Sequence, residues 1–493
     1  MESESILQFL ENKTILVTGS TGLLGKTLVE KILRVQPNVK KLYLLLRASD
    51  SNSANQRMHA EVLGKEVFRV LRQTWGKDFE CFISEKLVAV EGDVSHENLG
   101  IKDSNLRERM WNDLNFIVNS AATTNFYERY DVSLATNTSG VLNVLNFAKK
   151  CAELKLLLHV STAYVCGEKE GLILEKAFHM GETLKETYSK LDFDIEKKLV
   201  EEKLNELETE SAAEATITNT MRDFGMERAK LFGWPNTYVF SKAMGEMCLL
   251  EQSKDSLPVV IIRPTMITST YKEPFPGWIE GLRTIDRVIV GYGKGTVTCF
   301  VTNPKLIFDL IPVDLVINAI IMAIVANGNQ FSNNIIYHVG SSLRNPVNVS
   351  QIHDFLFKYF TKHPLTRKNG ELIKVAKGTL FNGMTAFQVY MAFRYRLPLK
   401  ILQLVNIVSF QYFGEVYKVY KHKLETIMRL VDLYQPYLLF KGTFDDINSE
   451  RLRLKAQENC WEVDMLNFDP KCIDWEDYII NTHIPGLKKY VIN

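Results

Sequence analysis

The 493 residues carry 59 Lys and Arg against 58 Asp and Glu, and 46% of them are hydrophobic. This near-neutral balance argues against nucleic acid as the main partner, because phosphate binding needs a positive excess on some face, and the composition is that of an ordinary globular chain of two or three domains. The seven cysteines, at 81, 151, 166, 248, 299, 460 and 472, include no C-x-x-C pair, which fits free thiols in a reducing compartment and no metal site.

In chain order, the N-terminus "MESESILQFLENKTILVTG" is acidic and has no basic n-region, long apolar core or Arg/Ser-rich transit segment. A cytosolic protein, or one on the cytosolic face of the endoplasmic reticulum, is expected rather than a plastid one. "KTILVT" (13–18) reads as a short strand and "LGKTLVEKILRV" (24–35) as a helix. "KLYLLLR" (41–47) is a second strand, followed by a polar helical stretch. Strands at "KLVAVEGDV" (86–94) and "NFIVNSAA" (115–122) precede a helix at "NTSGVLNVLNFAKKC" (137–151) and a strand at "LKLLLHVST" (154–162). Apolar runs without alternation suit strands covered on both faces. Strands alternating with helices predict an α/β fold with a Rossmann-type doubly wound parallel sheet.

Residues 168–230 break the rhythm. "LDFDIEKKLVEEKLNELETES" is charged and helical and carries no catalytic set, so an inserted helical lobe is predicted. The sheet resumes with "LPVVIIRPT" (257–265) and "NIIYHVGSS" (334–342). Between them "LIPVDLVINAIIMAIVA" (310–326) contains Asp314 and Asn318 and falls short of the ~20 apolar residues of a membrane span; a buried helix is predicted. "LPLKILQLVNIVSFQYF" (397–413) is broken by Pro398, Lys400, Gln403 and Asn406, which predicts a core or interfacial helix. Aromatic-rich helices such as "FQVYMAFRYRL" and "LETIMRLVDLYQPYLLF" fill the last part of the chain. The expected division is a larger domain over 1–370 and a smaller, mostly helical one over 371–493.

"VTGSTGLLGKTLVEKIL" places Gly19, Gly22 and Gly25 between the first strand and the first helix. Glycines spaced in this way permit a tight turn and the close approach of a pyrophosphate, which then sits on the helix N-terminus. A dinucleotide site is predicted, with Thr18, Thr21 and Leu23 counted in it, and Ala121 and Pro264 at later strand ends. Arg47 ends the second strand, 22 residues beyond Gly25, and Arg57 lies farther on. Guanidiniums there suit the 2′-phosphate of NADPH, whereas a carboxylate would bind the ribose hydroxyl of NADH. Asp50 is the competing carboxylate. Asp93, in "EGDV", either accepts from the adenine amine or caps the next helix.

In "TYVFSK", Tyr238 and Lys242 lie four apart and share a helix face. Upstream, "HVSTAYVCGE" (159–168) offers Thr162, with Ser161 as the alternative. With the glycine spacing, these residues resemble the extended short-chain dehydrogenase/reductase superfamily, whose catalytic set is a Ser/Thr, a Tyr and a Lys. The chemistry accounts for the residue types. A carbonyl receiving a hydride develops negative charge on oxygen and needs a proton donor. Free Tyr has a pKa near ~10, and a close Lys ammonium is expected to lower it. The resemblance implies that Lys242 also binds the nicotinamide ribose, that Thr162 orients the carbonyl oxygen, and that Asn137 is structural.

A larger set, "KKLYLLLRAS", "VNSAATTNFYERYDV", "VSTAYVCGEKEG", "GWPNTYVFSKAMGE", "IIRPTMITSTYKEPFPGWIEG", "YHVGSS" and "VDLYQPYLLF", closely resembles plant alcohol-forming fatty acyl-CoA reductases. The long gap from Thr162 to Tyr238 departs from simpler superfamily members but fits this narrower family. The resemblance implies a long-chain fatty acyl-CoA substrate. Two NADPH hydrides would carry it through a hemithioacetal and an aldehyde to a primary alcohol, as in wax or suberin biosynthesis. No cysteine nucleophile is then required, and Cys166 is expected to be a packed thiol. "EPFPGW" (273–278) is expected to line the acyl site, with the C-terminal helices covering the chain or touching membrane lipid. "GYGKG" (291–295) lacks the Lys-Ser/Thr ending of a Walker loop and reads as a turn. The rival readings are a reductase that stops at the aldehyde, an extended reductase or epimerase for a small carbonyl or nucleotide sugar, and a non-catalytic NADP(H)-binding protein.

Overall fold

The computed structural model describes residues 6–254, 256–328, 335–458 and 465–492. The first five residues of the N-terminal segment, Asn334 of the expected 334–342 strand, and Cys460 lie outside the described residues. Seven strands form the central sheet: β1 (Thr14–Thr18), β2 (Lys41–Leu46), β3 (Leu87–Glu91), β4 (Phe116–Asn119), β5 (Leu156–Val160), β6 (Val259–Pro264) and β7 (Ile335–Val339). Their order is β7-β6-β5-β4-β1-β2-β3, and every pair is parallel. All residues of β1, β4, β5 and β6 are buried, which is why these strands read as unbroken apolar runs. The order reverses between β1 and β4, so a crevice opens at the carboxyl ends of these two strands.

Helix α1 (Leu23–Val35) follows β1 directly. The charged segment supplies α2 (Phe193–Thr209) and α3 (Glu214–Leu231). Next comes α4 (Thr237–Ser253), started by Asn236, whose side chain accepts from the Val239 N–H at 3.1 Å. Helix α5 (Val313–Asn327) is buried along its length and packs between α1 and the sheet, in agreement with the buried helix predicted over 310–326. Its polar residues work as ties. Asp314 accepts from the N–H groups of Tyr271, Lys272 and Glu273, and Asn318 donates to the Asn467 carbonyl.

Farther along, α6 (Leu397–Val408) and α7 (Gly414–Leu438) pack on each other. No residue of α6 is buried, so the core alternative for 397–413 fails: its contact with α7 leaves most of its apolar side chains exposed. The chain then returns to the rest of the molecule. Gly442–Phe444 pairs in parallel with Gly171–Ile173, and Phe468, Trp475, Tyr478 and Leu487 share one core with β1 and α5.

Candidate active site

The crevice is shaped first by the turn between β1 and α1. Gly19 sits at φ +69°, and a Cβ there would lie 2.7 Å from the Ala121 nitrogen and 2.8 Å from the Ser120 oxygen. A Cβ at Gly25 would overlap the Gly19 carbonyl. Gly22 caps α1 with extended backbone and no side chain, leaving the N-terminal N–H groups of the helix open to an anion. In front of this turn is a cavity of about 640 Å³. Gly19, Thr21, Gly22, Leu23 and Gly25 form one wall; Arg47, Arg57 and Asp93 reach it from the ends of β2 and β3. Ala121, Ser161, Thr162, Tyr238, Lys242 and Pro264 complete it.

Thr18 is a correction. It is buried behind the turn, where its hydroxyl donates to Asn119 Oδ1 at 2.6 Å and accepts from the Ala121 N–H at 3.1 Å. It holds the turn to β4 and does not line the cavity. The strand-end charges divide as well. Arg57 is paired with Glu61, at 2.7 Å from Nε and 2.9 Å from Nη2, and also donates to the Arg47 carbonyl. Asp50 caps the helix Ser51–Arg57 by accepting from the Ser53 N–H at 2.8 Å; hydrogen bonds from Ser53 and Ser49 hold its carboxyl below the usual range. Exposed Arg47 forms no ion pair among the described residues. Asp93 accepts from the Ser95 N–H at 2.9 Å, capping a turn while still facing the cavity.

Thr162 and Tyr238 come together in the cavity wall, where the Thr162 side chain acts on the Tyr238 phenol. Among the described residues the buried Ser161 hydroxyl has no partner, so of the two candidates Thr162 is the one that acts on Tyr238. Burial pushes the Tyr238 phenol up to about 12, opposed by the Thr162 hydrogen bond and the nearby Arg283 charge. The lowering expected from Lys242 is not found, and the phenol is a weaker acid than free tyrosine. Lys242 Nζ instead donates to the Val160 carbonyl at 2.7 Å and lies 3.3 Å from His159 Nε2. Burial brings the Lys242 ammonium down to about 8, with the Glu246 carboxylate one turn along opposing that loss. Asn137 is buried and bridges Thr123 to Ser241.

Sequence reasoning missed a polar file behind the site. Thr18 bonds Asn119, Asn119 Nδ2 lies 3.2 Å from His159 Nδ1, and His159 reaches Lys242. His159 is fully buried, and burial together with the Lys242 charge keeps its pKa well below the ordinary value. Both residues carried a signal: each is a polar residue inside an otherwise apolar strand, "FIVN" and "LLLHV". Arg283 was missed too, and nothing in its neighbourhood of the sequence marks it.

A second cavity of about 530 Å³ adjoins the first and shares Thr124, Asn125, Thr162, Tyr238, Thr265, Ile267 and Arg283 with it. Its other walls are Met266, Ile285, Leu282 and, from α7, Leu430, Leu433, Tyr434 and Tyr437. The Phe126 ring lies between Tyr238 and Tyr437, at centroid distances of 5.7 and 4.8 Å, and Asn236 donates to the Tyr437 hydroxyl at 2.8 Å. The end of α7 is thereby fastened to the start of α4. "EPFPGW" does not line either cavity. Glu273 pairs with Lys31 and Arg34, Arg69 covers the Phe275 ring, and Trp278 is core. Cys166 is buried with its thiol pushed up to about 12 by burial, an unreactive state. "GYGKG" ends the helix Thr284–Gly293 and turns at Lys294 and Gly295.

Comparison with known proteins follows these two cavities. A family model described as male sterility protein matches residues 17–320, and a second with the same description matches 394–493. Fatty acyl-CoA reductase 1 of Arabidopsis thaliana is 57% identical over 494 residues, covering 100% of both chains. The alcohol-forming fatty acyl-CoA reductase of Simmondsia chinensis is 53% identical over 493 residues, again covering 100% of both. Among solved structures, the reductase domain of a nonribosomal peptide synthetase from Mycobacterium tuberculosis superposes with a TM-score of 0.59 at 18% identity. That match covers 99% of this chain and 96% of the other, and it is a likeness of fold.

Proposed function

The chain belongs to the fatty acyl-CoA reductase family, and from that premise we propose that it reduces long-chain fatty acyl-CoA to the primary alcohol with NADPH, releasing CoA. The observation that carries the proposal is the position of Tyr238 and Thr162 at the junction of the two cavities. One proton donor facing both can serve a thioester carbonyl and then the aldehyde derived from it.

The residues present fit the cofactor. The glycine turn leaves room that a Cβ would fill, and the α1 N-terminus faces that room. Among the described residues Arg47 has no ion-pair partner and Asp50 is held as a helix cap, which favours a 2′-phosphate over a bare ribose hydroxyl. When bound, NADPH supplies hydride. The phenol of Tyr238 keeps its proton at neutral pH and donates it to the carbonyl oxygen as charge develops there. Thr162 and the Arg283 charge stabilise the resulting phenolate. Lys242 is cationic below about pH 8 and is assigned the ribose. Residues 371–493 supply α7, whose Leu430 and Leu433 are assigned to the acyl chain, with residues 1–370 as the reductase domain.

The test is purified protein with NADPH and acyl-CoAs of graded length, with products identified by mass spectrometry. Two NADPH consumed per free thiol, with alcohol as product, is expected. Accumulating aldehyde would overturn the alcohol assignment, and absence of thioester-dependent oxidation would overturn the whole reading.

A separate observation favours contact with lipid. Around α6, Phe393, Leu404, Ile407, Val408 and Phe410 are 71%, 63%, 64%, 80% and 97% exposed, with Arg394, Arg396 and Lys400 beside them. Such an apolar, cation-flanked hairpin suits the membrane interface. Among the described residues no helix is long and apolar enough to cross a membrane. Flotation with anionic phospholipid vesicles is expected for the protein and not for Leu404→Asp/Val408→Asp; a wild-type chain that stays at the bottom of the gradient would end this reading.

A further inference from the structure

Arginines gather around the second cavity. Arg283, Arg287 and Arg429 line it, and Arg222 and Arg429 both stand over the Tyr127 ring, 5.6 and 5.9 Å from its centroid. Among the described residues none of these has a carboxylate oxygen within 4.0 Å, whereas Arg129, Arg228, Arg263 and Arg344 are all paired. The Nε atoms of Arg222 and Arg283 are buried without a hydrogen-bond partner. No Asp or Glu among the described residues lines the cavity. Asp223, next to Arg222 in the chain, accepts from the Tyr127 hydroxyl, and the Asp286 and Glu280 charges act on Arg283. Arg287 acts on the Tyr434 phenol of α7 and donates weakly to the Leu282 carbonyl at 3.5 Å.

Gathering guanidiniums that form no ion pair is unfavourable, and so is burying a donor without an acceptor, as at Arg222 Nε. An anion bound among these arginines relieves both. Guanidiniums match phosphate oxygens in fork geometry, and the same cavity is lined by apolar side chains and by Tyr238. A ligand that satisfies both halves has phosphates at one end and an acyl chain at the other.

We propose that Arg222, Arg287 and Arg429 bind the phosphates of the carrier that delivers the acyl group, so that this site selects a phosphorylated thioester over an unphosphorylated one. The inference rests on the acyl-thioester reading above and goes beyond it by assigning the carrier-selecting residues. Helix α7 then has two functions: its leucines face the acyl chain and its Arg429 faces the carrier. Arg283, beside Tyr238, belongs to the reacting end and is left out of the phosphate set.

The test compares one acyl chain on CoA, on dephospho-CoA, on 4′-phosphopantetheine and on pantetheine, with the free aldehyde as a fifth substrate. The wild-type enzyme is expected to prefer acyl-CoA over acyl-pantetheine by at least about tenfold in kcat/KM, through KM. In Arg287→Gln/Arg429→Gln that preference is expected to fall by about tenfold, and added salt is expected to erode it in the wild type. Arg429 is exposed, so Arg429→Gln alone serves if the double variant fails to fold; the ratio of acyl-CoA to aldehyde turnover normalises for folded enzyme. A preference that needs the 3′-phosphate identifies CoA as the source. Equal use of the phosphopantetheine thioester identifies a carrier-protein arm. A wild-type enzyme indifferent to phosphate, or a variant with unchanged preference, overturns the inference while leaving the reaction intact. Failure of every thioester overturns the reading on which it rests.

Discussion

The two cavities that meet at Tyr238 are built by different means. The first is made at the carboxyl ends of β1 to β6, where glycines, backbone N–H groups and short polar side chains stand on a sheet buried on both faces. The second is made of large side chains from segments far apart in the chain, 124–127, 281–287 and 429–437. One wall fits by having no side chain in the way; the other fits by which side chains it has. The first therefore tolerates almost no added atom, while the second can be retuned residue by residue.

This contrast is open to test, from the largest effect downward. Tyr238→Phe removes the donor common to both cavities and is expected to lower kcat/KM for acyl-CoA and for aldehyde alike by ~10²–10⁴. NADPH binding, followed by nucleotide fluorescence, should persist; loss with only one substrate would mean that the cavities do not share a donor. Gly25→Val drives a side chain into the Gly19 carbonyl and is expected to weaken NADPH binding by ~10–100-fold, or about 1.4–2.8 kcal/mol. If a titration gives unchanged affinity, the first cavity is not the rigid one. Arg47→Asp is expected to shift the NADPH-to-NADH ratio of kcat/KM by about tenfold toward NADH, since a charge-assisted hydrogen bond contributes ~1.5–3 kcal/mol. An unmoved ratio would reassign the 2′-phosphate. The smallest effect concerns pH. Lys242 is an ammonium below about 8 and neutral above it, so aldehyde reduction is expected to fall as pH rises through that value. Whatever activity Lys242→Arg retains should lack this limb, because a guanidinium does not titrate there.

What could be read from the sequence followed local geometry. The β1–α1 turn needs glycine at particular backbone positions, and Tyr238 and Lys242 share a helix face through a four-residue step; neither depends on distant chain. The apolar runs of β1, β4, β5 and β6 likewise state that both faces of the sheet are covered. What was misread followed contacts that form only when distant segments pack. Thr18 turns inward because Asn119 and the Ala121 N–H are there to meet its hydroxyl. Arg57 is paired with Glu61. Phe275 and Trp278 of "EPFPGW" pack on the core, and the segment lines neither cavity. Tyr238 becomes a weaker acid than free tyrosine because burial outweighs the charges near it, and Lys242 loses basicity for the same reason. The sequence by itself determined the sheet, the glycine turn and the identities of the reacting groups, since these rest on backbone conformation and i to i+4 spacing. Only the tertiary structure decided the second cavity, its unpaired arginines and the acidities at the junction, because desolvation and charge pairing depend on which remote residues fold against a side chain.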